Sequence, residues 1–162
     1  MPENFRSETV EMRLAKPGHG DRMARMSRRL IEVGLPWWCW TPKRMAKAIL
    51  APDTIALVAI DGKTLIGFAV MHFGDDNAHL NLLAVEPAYR RRRIGKELLE
   101  WLEESCVIAG IAKISLEVRA KNRAAIRFYE SLGYEKGERI SRYYCGEEDA
   151  VRMTRRIVQE VS

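Results

Sequence analysis

The chain has 162 residues, 47% hydrophobic and 30% charged, which is enough to bury one ordinary core and hardly two, so one domain over 1–162 is expected. No run approaches the ~18 apolar residues of a membrane span, and the N-terminal MPENFRSETV has no apolar signal region, which points to a cytoplasmic protein with no membrane partner. The net charge of +5 is partly local, because Arg90 to Arg93 are consecutive; Cys39, Cys106 and Cys145 lack paired spacing, which argues against a disulfide framework and a zinc site and reads as reduced structural thiols.

Val10 to Ala15 alternates apolar and polar residues as a half-buried first strand does, and Pro17-Gly18-His19-Gly20 ends it. Asp21 can cap a helix to about Val33 with Met23, Met26 and Leu30 on one face, stopped by Gly34 and Pro36. Trp37, Trp38 and Trp40 follow in a loop, and Thr41-Pro42 opens a second helix to about Leu50. Thr54–Ile60 and Leu65–Phe73 form a hairpin about Asp61-Gly62-Lys63, and Ala78–Val85 is the next strand.

From Ile94 to Ala109 the spacing is helical, with Ile94, Leu98, Trp101, Leu102, Ser105 and Ala109 in one arc, and Gly110 closes it. Lys113 to Arg119 alternates again: Ile114, Leu116 and Val118 share one face, which turns Ser115 and Glu117 to the other. Asn122 caps a helix from Arg123 to Leu132 closed by Gly133, and Tyr134–Ile140 and Ala150–Ile157 are the last strands. The strand, helix and strand from Leu80 through Val118 predict one right-handed parallel unit within an otherwise antiparallel sheet. The expected fold is therefore α+β, a mostly antiparallel twisted sheet of six or seven strands with a splayed central parallel pair and about four helices. Ligands favour the carboxyl ends of strands at such a switch point. A monomer or a dimer is compatible with this layout.

The stretch LNLLAVEPAYRRRRIGKELL, Leu80 to Leu99, joins a strand to a helix N-terminus through a basic loop. Free N–H groups, the helix dipole and the arginines together suit a phosphate. Duplex nucleic acid would meet the same charges, but no aromatic interleaving or zinc motif accompanies them, so no nucleic-acid partner is expected.

With these residues the chain resembles the GNAT N-acetyltransferase superfamily. That family's loop reads Arg or Gln, two variable residues, Gly, one variable residue, then Gly or Ala; Arg90, Arg91, Arg92, Arg93, Ile94 and Gly95 occupy those places in order. Arg93 departs from the family glycine, and a positive φ there would strain an arginine by roughly 1 to 2 kcal/mol. LEVRAKNRAAIRFYESLGYEKG is similar to the family's later motif, and Tyr143-Tyr144 with Glu148-Asp149-Ala150 is similar to the ribosomal-protein N-terminal alanine acetyltransferases, the Rim group.

The resemblance implies acetyl-CoA as co-substrate, no metal, and acetyl transfer in a ternary complex to a primary amine. A protein or peptide N-terminus is the first expectation; a small-molecule amine, or acyl-CoA binding without turnover, is the alternative. It also implies a cofactor site from Leu83, Ala84, Val85, Arg90, Arg91, Arg92, Arg93, Ile94, Gly95, Lys96, Asn122 and Tyr129, with the Val85 N–H as oxyanion donor. Glu117 is implied as general base through water, and the plain alternative pairs it with Arg119 or Arg123. Tyr129 is the candidate general acid for the departing thiolate, two helical turns from Asn122 on the same face; a core stripe with Ala125, Phe128 and Leu132, and a mere cap at Asn122, are the plain readings. The tryptophans read as core, lid or acceptor wall. His72 and His79 read as structural, with His79 a reserve base. Tyr143 and Tyr144 are placed in a loop, lining an acceptor groove or packing an edge.

Overall fold

The computed structural model describes residues 10–157. In chain order the elements are β1 (Val10–Leu14), α1 (Gly20–Met26), α2 (Pro42–Leu50), β2 (Thr54–Asp61), β3 (Thr64–Phe73), β4 (Asn77–Val85), α3 (Ile94–Ala109), β5 (Lys113–Arg119), α4 (Arg123–Ser131), β6 (Glu135–Tyr144) and β7 (Glu148–Arg156). They form one seven-stranded sheet in the order β1-β2-β3-β4-β5-β7-β6. Every neighbouring pair is antiparallel except β4 and β5. This is the expected mixed sheet, with its parallel pair where the crossover helix α3 requires it.

Helices cover both faces. Leu98, Leu99, Leu102 and Cys106 of α3 and Tyr129 of α4 close over Ile114, Leu116 and Met153 on one side. Met23 and Met26 of α1 and Met45 of α2 close over Val58, Phe68 and Leu82 on the other. Strand β3, covered on both faces, is buried continuously from Leu65 to Met71, whereas β4 and β5 alternate. Each fully buried leucine contributes about 1.5 to 3 kcal/mol. The buried arc of α3 is wider than the expected one: Leu99 and Cys106 join it, and Ala109 in the last turn is exposed.

Two boundaries differ from the sequence reading. The first helix starts at Gly20 after a tight turn at Pro17–His19, and its last turn widens into a π-helix at Ser27–Ile31, so it stops short of Val33. The cause lies in Glu32, whose buried carboxylate accepts from the Ser27 hydroxyl at 2.9 Å and the Cys39 N–H at 2.6 Å. Turning that side chain inward moves the Glu32 N–H onto the Ser27 carbonyl, five residues back. The last hairpin is longer than expected, so Tyr143 and Tyr144 lie at the end of β6 rather than in a loop. Its turn relies on left-handed Cys145 and Gly146, at φ 54° and 71°, and only the glycine announces that conformation in the sequence.

Candidate functional site

Strands β4 and β5 pair only over Asn77–His79 and Lys113–Ser115 and then separate. The separation is prepared by a bulge: Val70 of β3 faces Leu82 while Met71 faces Leu80, which leaves Asn81 as the extra residue of β4. Beyond the bulge Glu86 N–H bonds to the Ile66 carbonyl at 2.8 Å and Gly67 stands opposite Val85. The alternation of an antiparallel ladder then directs the N–H and C=O of Leu83 and Val85 away from β3, into the gap before β5. The expected splay is thus present, and it is a slot lined by backbone groups that β5 does not satisfy.

At the mouth of this slot α3 begins. Its first backbone bond is Glu97 N–H to the Arg93 carbonyl at 2.9 Å, and helix geometry leaves the N–H groups of Ile94, Gly95 and Lys96 without intrahelical acceptors. Arg90 to Arg93 are all exposed around them. Arg90 Nε donates to the Val85 carbonyl at 3.3 Å, and the Arg92 guanidinium lies 4.9 Å from the Tyr89 ring centre. Arg93 has φ 65°, the strained conformation anticipated from its place in the loop, and Arg91 shares it. Arg93→Gly is therefore expected to stabilise the protein by about 1 kcal/mol, strain relief less the flexibility cost of glycine. That should appear as a rise of about 2 to 4 °C in Tm. Arg93→Ala, which keeps the strain, should show no such rise.

On the face of the sheet away from α3 and α4, Glu117 sits where the alternation of β5 placed it, turned from the apolar row. Its Oε1 accepts from His79 Nε2 at 2.6 Å and from the Tyr143 hydroxyl at 3.1 Å, and its Oε2 accepts from Arg152 Nε at 2.8 Å. The anticipated ion pairs to Arg119 or Arg123 are not formed. Arg119 instead donates to the Ile31 carbonyl at 2.9 Å and lies 3.6 Å from Glu148, because its position at the end of β5 carries it under the π-helical turn. Burial alone would raise the Glu117 pKa; the hydrogen bonds from His79 and Arg152, the charge of His79 and the Tyr143 hydroxyl outweigh it and hold it at about 2. These groups line a cleft of about 320 Å³ shared with Ser115 and Lys113.

Tyr129 does not line that cleft. It is buried on the α3 and α4 side, its ring edge-on to Phe128 at 5.1 Å and Tyr134 at 5.7 Å. Its hydroxyl has no hydrogen-bond partner among the described residues and is not sealed from solvent. Burial raises its pKa, so it carries its proton throughout the ordinary pH range. Asn122 Oδ1 accepts from Ala125 N–H at 3.0 Å, so that oxygen is spent on the cap and only the side-chain amide N–H groups remain for a ligand.

The tryptophans divide. Trp38 and Trp40 pack against the core beside α1 and α2, with Arg44 stacked over Trp40 at 3.9 Å, and Trp37 is exposed. Glu32 holds the backbone of this loop, and the Arg29 to Glu86 ion pair at 2.6 Å ties the π-helical turn to the end of β4. Sequence reasoning missed Glu32, Arg152 and the contact of His79 with Glu117. Residues 117 and 152 meet through the β5–β7 register, Glu117 opposite Arg152, and no local pattern encodes a register between strands so far apart. For Glu32 no signal existed either: at helical spacing it falls with Asp21, Arg25 and Arg28, on the side opposite Met23, Met26 and Leu30.

Among known proteins, residues 24–134, more than half of the chain, match the acetyltransferase (GNAT) family. The chain is 41% identical over 92 residues to the ribosomal protein bS18-alanine N-acetyltransferase of Escherichia coli (strain K12), a match that covers 55% of this chain and 62% of that protein. It is 40% identical over 86 residues to the N-terminal acetyltransferase B complex catalytic subunit NAA20 of Arabidopsis thaliana, covering 52% of this chain and 49% of the other. The crystal structure of the ribosomal-protein-S18-alanine N-acetyltransferase from Escherichia coli superposes with a TM-score of 0.79 at 28% identity, over 94% of this chain and 96% of that one. With the splayed parallel pair and the basic loop at a helix N-terminus, these matches establish that the chain belongs to the acetyltransferase (GNAT) family.

Proposed function

We propose that the protein is an acetyl-CoA-dependent N-acetyltransferase acting on the α-amine of a protein or peptide N-terminus in the cytoplasm. The observation that carries this reading is the slot between β4 and β5, which opens to a basic helix N-terminus on one side of the sheet and to the Glu117 cleft on the other. Pyrophosphate oxygens suit the α3 N–H groups and Arg90 to Arg93. The pantetheine arm, which is amide-rich, suits the backbone groups of Leu83 and Val85 that point into the gap. When bound, acetyl-CoA supplies the activated acyl group as a thioester. In this reading the Val85 N–H donates to the carbonyl oxygen as charge builds on it. Tyr129, on the α4 side, is the proton donor for the departing thiolate. The Glu117 and His79 pair, on the opposite side, serves the amine.

An N-terminal acceptor is favoured by the chemistry of the cleft as well as by the relatives, both of which are named for N-terminal or alanine acetylation. An α-amine with pKa near ~7.7 to 8 is partly neutral at pH 7, whereas a lysine near ~10.4 is not. A modest proton acceptor therefore suffices. The test is incubation of the purified protein with acetyl-CoA and a panel of N-terminal peptides, lysine peptides, polyamines and aminoglycosides, following free thiol and product mass. Acetylation of a peptide α-amine in preference to the rest is expected. Transfer confined to small amines would move the acceptor class, and no thiol release with any amine would overturn the enzymatic reading.

A further inference from the structure

Within that proposed transfer, we infer that His79 is the residue that takes the proton from the acceptor amine, at its Nδ1 atom, and that Glu117 is the residue that positions His79. The geometry separates the two roles. Glu117 is 5% exposed as a side chain and both its oxygens are occupied, by His79 and Tyr143 on one and Arg152 on the other. The His79 side chain, 33% exposed, is the member of the pair that opens to the cleft. It also stands at the last paired position of β4 and β5, opposite Ser115, where the slot begins.

The contacts assign the tautomer. A carboxylate accepts, so the 2.6 Å contact to Glu117 requires a proton on His79 Nε2. The Asn81 side-chain nitrogen approaches His79 Nδ1 at 3.3 Å, and an amide N–H needs a lone pair there. Both neighbours therefore leave Nδ1 unprotonated, and the long 3.3 Å Asn81 contact is the one that an incoming amine displaces to reach its lone pair. Asn81 is the bulged residue that opens the slot, so one irregularity in β4 separates the strands and places a donor beside the imidazole. The low pKa of Glu117, about 2, makes it a poor proton acceptor and a permanent counter-ion for an imidazolium. Imidazole is the side chain whose titration lies near neutrality.

The charged and titratable groups facing His79 are Glu117 and Lys113 of β5, Arg152 of β7 and Tyr143 of β6. From β3 there is His72, opposite it in register and paired to Asp53. Among these only Glu117 makes a direct hydrogen bond to its ring. In the transfer, the bound ammonium gives one proton to Nδ1. The freed electron pair forms the N–C bond and the C–S bond breaks. Tyr129 protonates the thiolate, its phenolate takes the second proton lost by the nitrogen, and His79 returns its proton to solvent. The products are the amide, CoA thiol and one proton.

Two measurements test the assignment. The first needs no acceptor: a long-range ¹H–¹⁵N spectrum of the labelled protein, with the His79 signals identified by their loss in His79→Gln. The Nε2–H tautomer is expected in the neutral ring, and Glu117→Gln should weaken that preference. An Nδ1–H tautomer overturns the assignment. The second is kinetic, with acetyl-CoA and a hexapeptide bearing a free N-terminal alanine. His79→Gln should lower kcat at pH 7 about tenfold, since an α-amine is already partly neutral there, with the acetyl-CoA KM unchanged. The loss should shrink toward pH 9, and 4-methylimidazole should restore part of the activity of His79→Ala. A purely structural role for His79 would move neither the pH profile nor the rescue. Wild-type kinetics in His79→Gln, with the loss confined to Glu117→Gln, would return the role to Glu117. If the wild type fails on every amine of the panel, the acetyltransferase reading falls and this one with it, a result distinct from either.

Discussion

Tyr129→Phe is expected to lower kcat about a hundredfold while leaving the KM for acetyl-CoA nearly unchanged. The substitution removes one oxygen and little else. The ring's edge-on contacts with Phe128 and Tyr134 are made by carbon atoms that phenylalanine keeps. The hydroxyl has no hydrogen-bond partner among the described residues, so its loss orphans nothing and stability should shift by less than about 1 kcal/mol. What disappears is a phenol that burial keeps protonated, on the side of the slot where the proposed thiolate leaves. A positioned general acid contributes typically 10²- to 10⁴-fold, and a thiolate needs less help than an alkoxide, which sets the estimate at the low end. Steady-state kinetics together with direct titration of acetyl-CoA decide the matter. A parallel fall in kcat and in acetyl-CoA affinity would make Tyr129 a packing or binding residue.

The layout of the sheet was legible because it is written in short-range patterns. The Asp61-Gly62-Lys63 turn and the helical period after Ile94 each constrain one element, and the crossover rule then forces β4 and β5 parallel. Arg93 was legible for the same reason: a loop of known shape demands a left-handed residue, and φ 65° is what the chain adopts there. The alternation of β5 likewise turned Glu117 away from the core without any knowledge of its partners. Those partners could not be read. Arg152 reaches Glu117 through a strand register, His79 through the parallel pairing of β4 with β5, and Tyr143 through a hairpin that continues past its predicted end. Each depends on elements far apart in sequence. The π-helical turn at Ser27–Ile31 is invisible for a related reason, since the buried Glu32 carboxylate that imposes it bonds to a loop seven residues on.

Glu117→Gln is expected to flatten the acid limb of stability. With its pKa held at about 2 in the folded protein against an ordinary 4.5, Glu117 binds its proton more readily in the unfolded chain than in the folded one. Stability therefore rises with pH across that window. The contribution is fully present above about pH 5, falls as pH drops through the window and is gone below about pH 2; at its full extent it is on the order of 3 kcal/mol. The glutamine variant keeps the volume but loses the charge and has one acceptor oxygen where the carboxylate has two, so its amide N–H groups oppose either Arg152 or the His79 and Tyr143 donors. At pH 7 it should be less stable than wild type by about 2 to 3 kcal/mol, and the two should converge toward pH 2. Urea unfolding at a series of pH values between 2 and 7 measures this directly. Curves that run parallel over the whole range would mean that Glu117 titrates as an ordinary carboxylate, and that the three donors converging on it in the cleft do not hold it as a fixed anion.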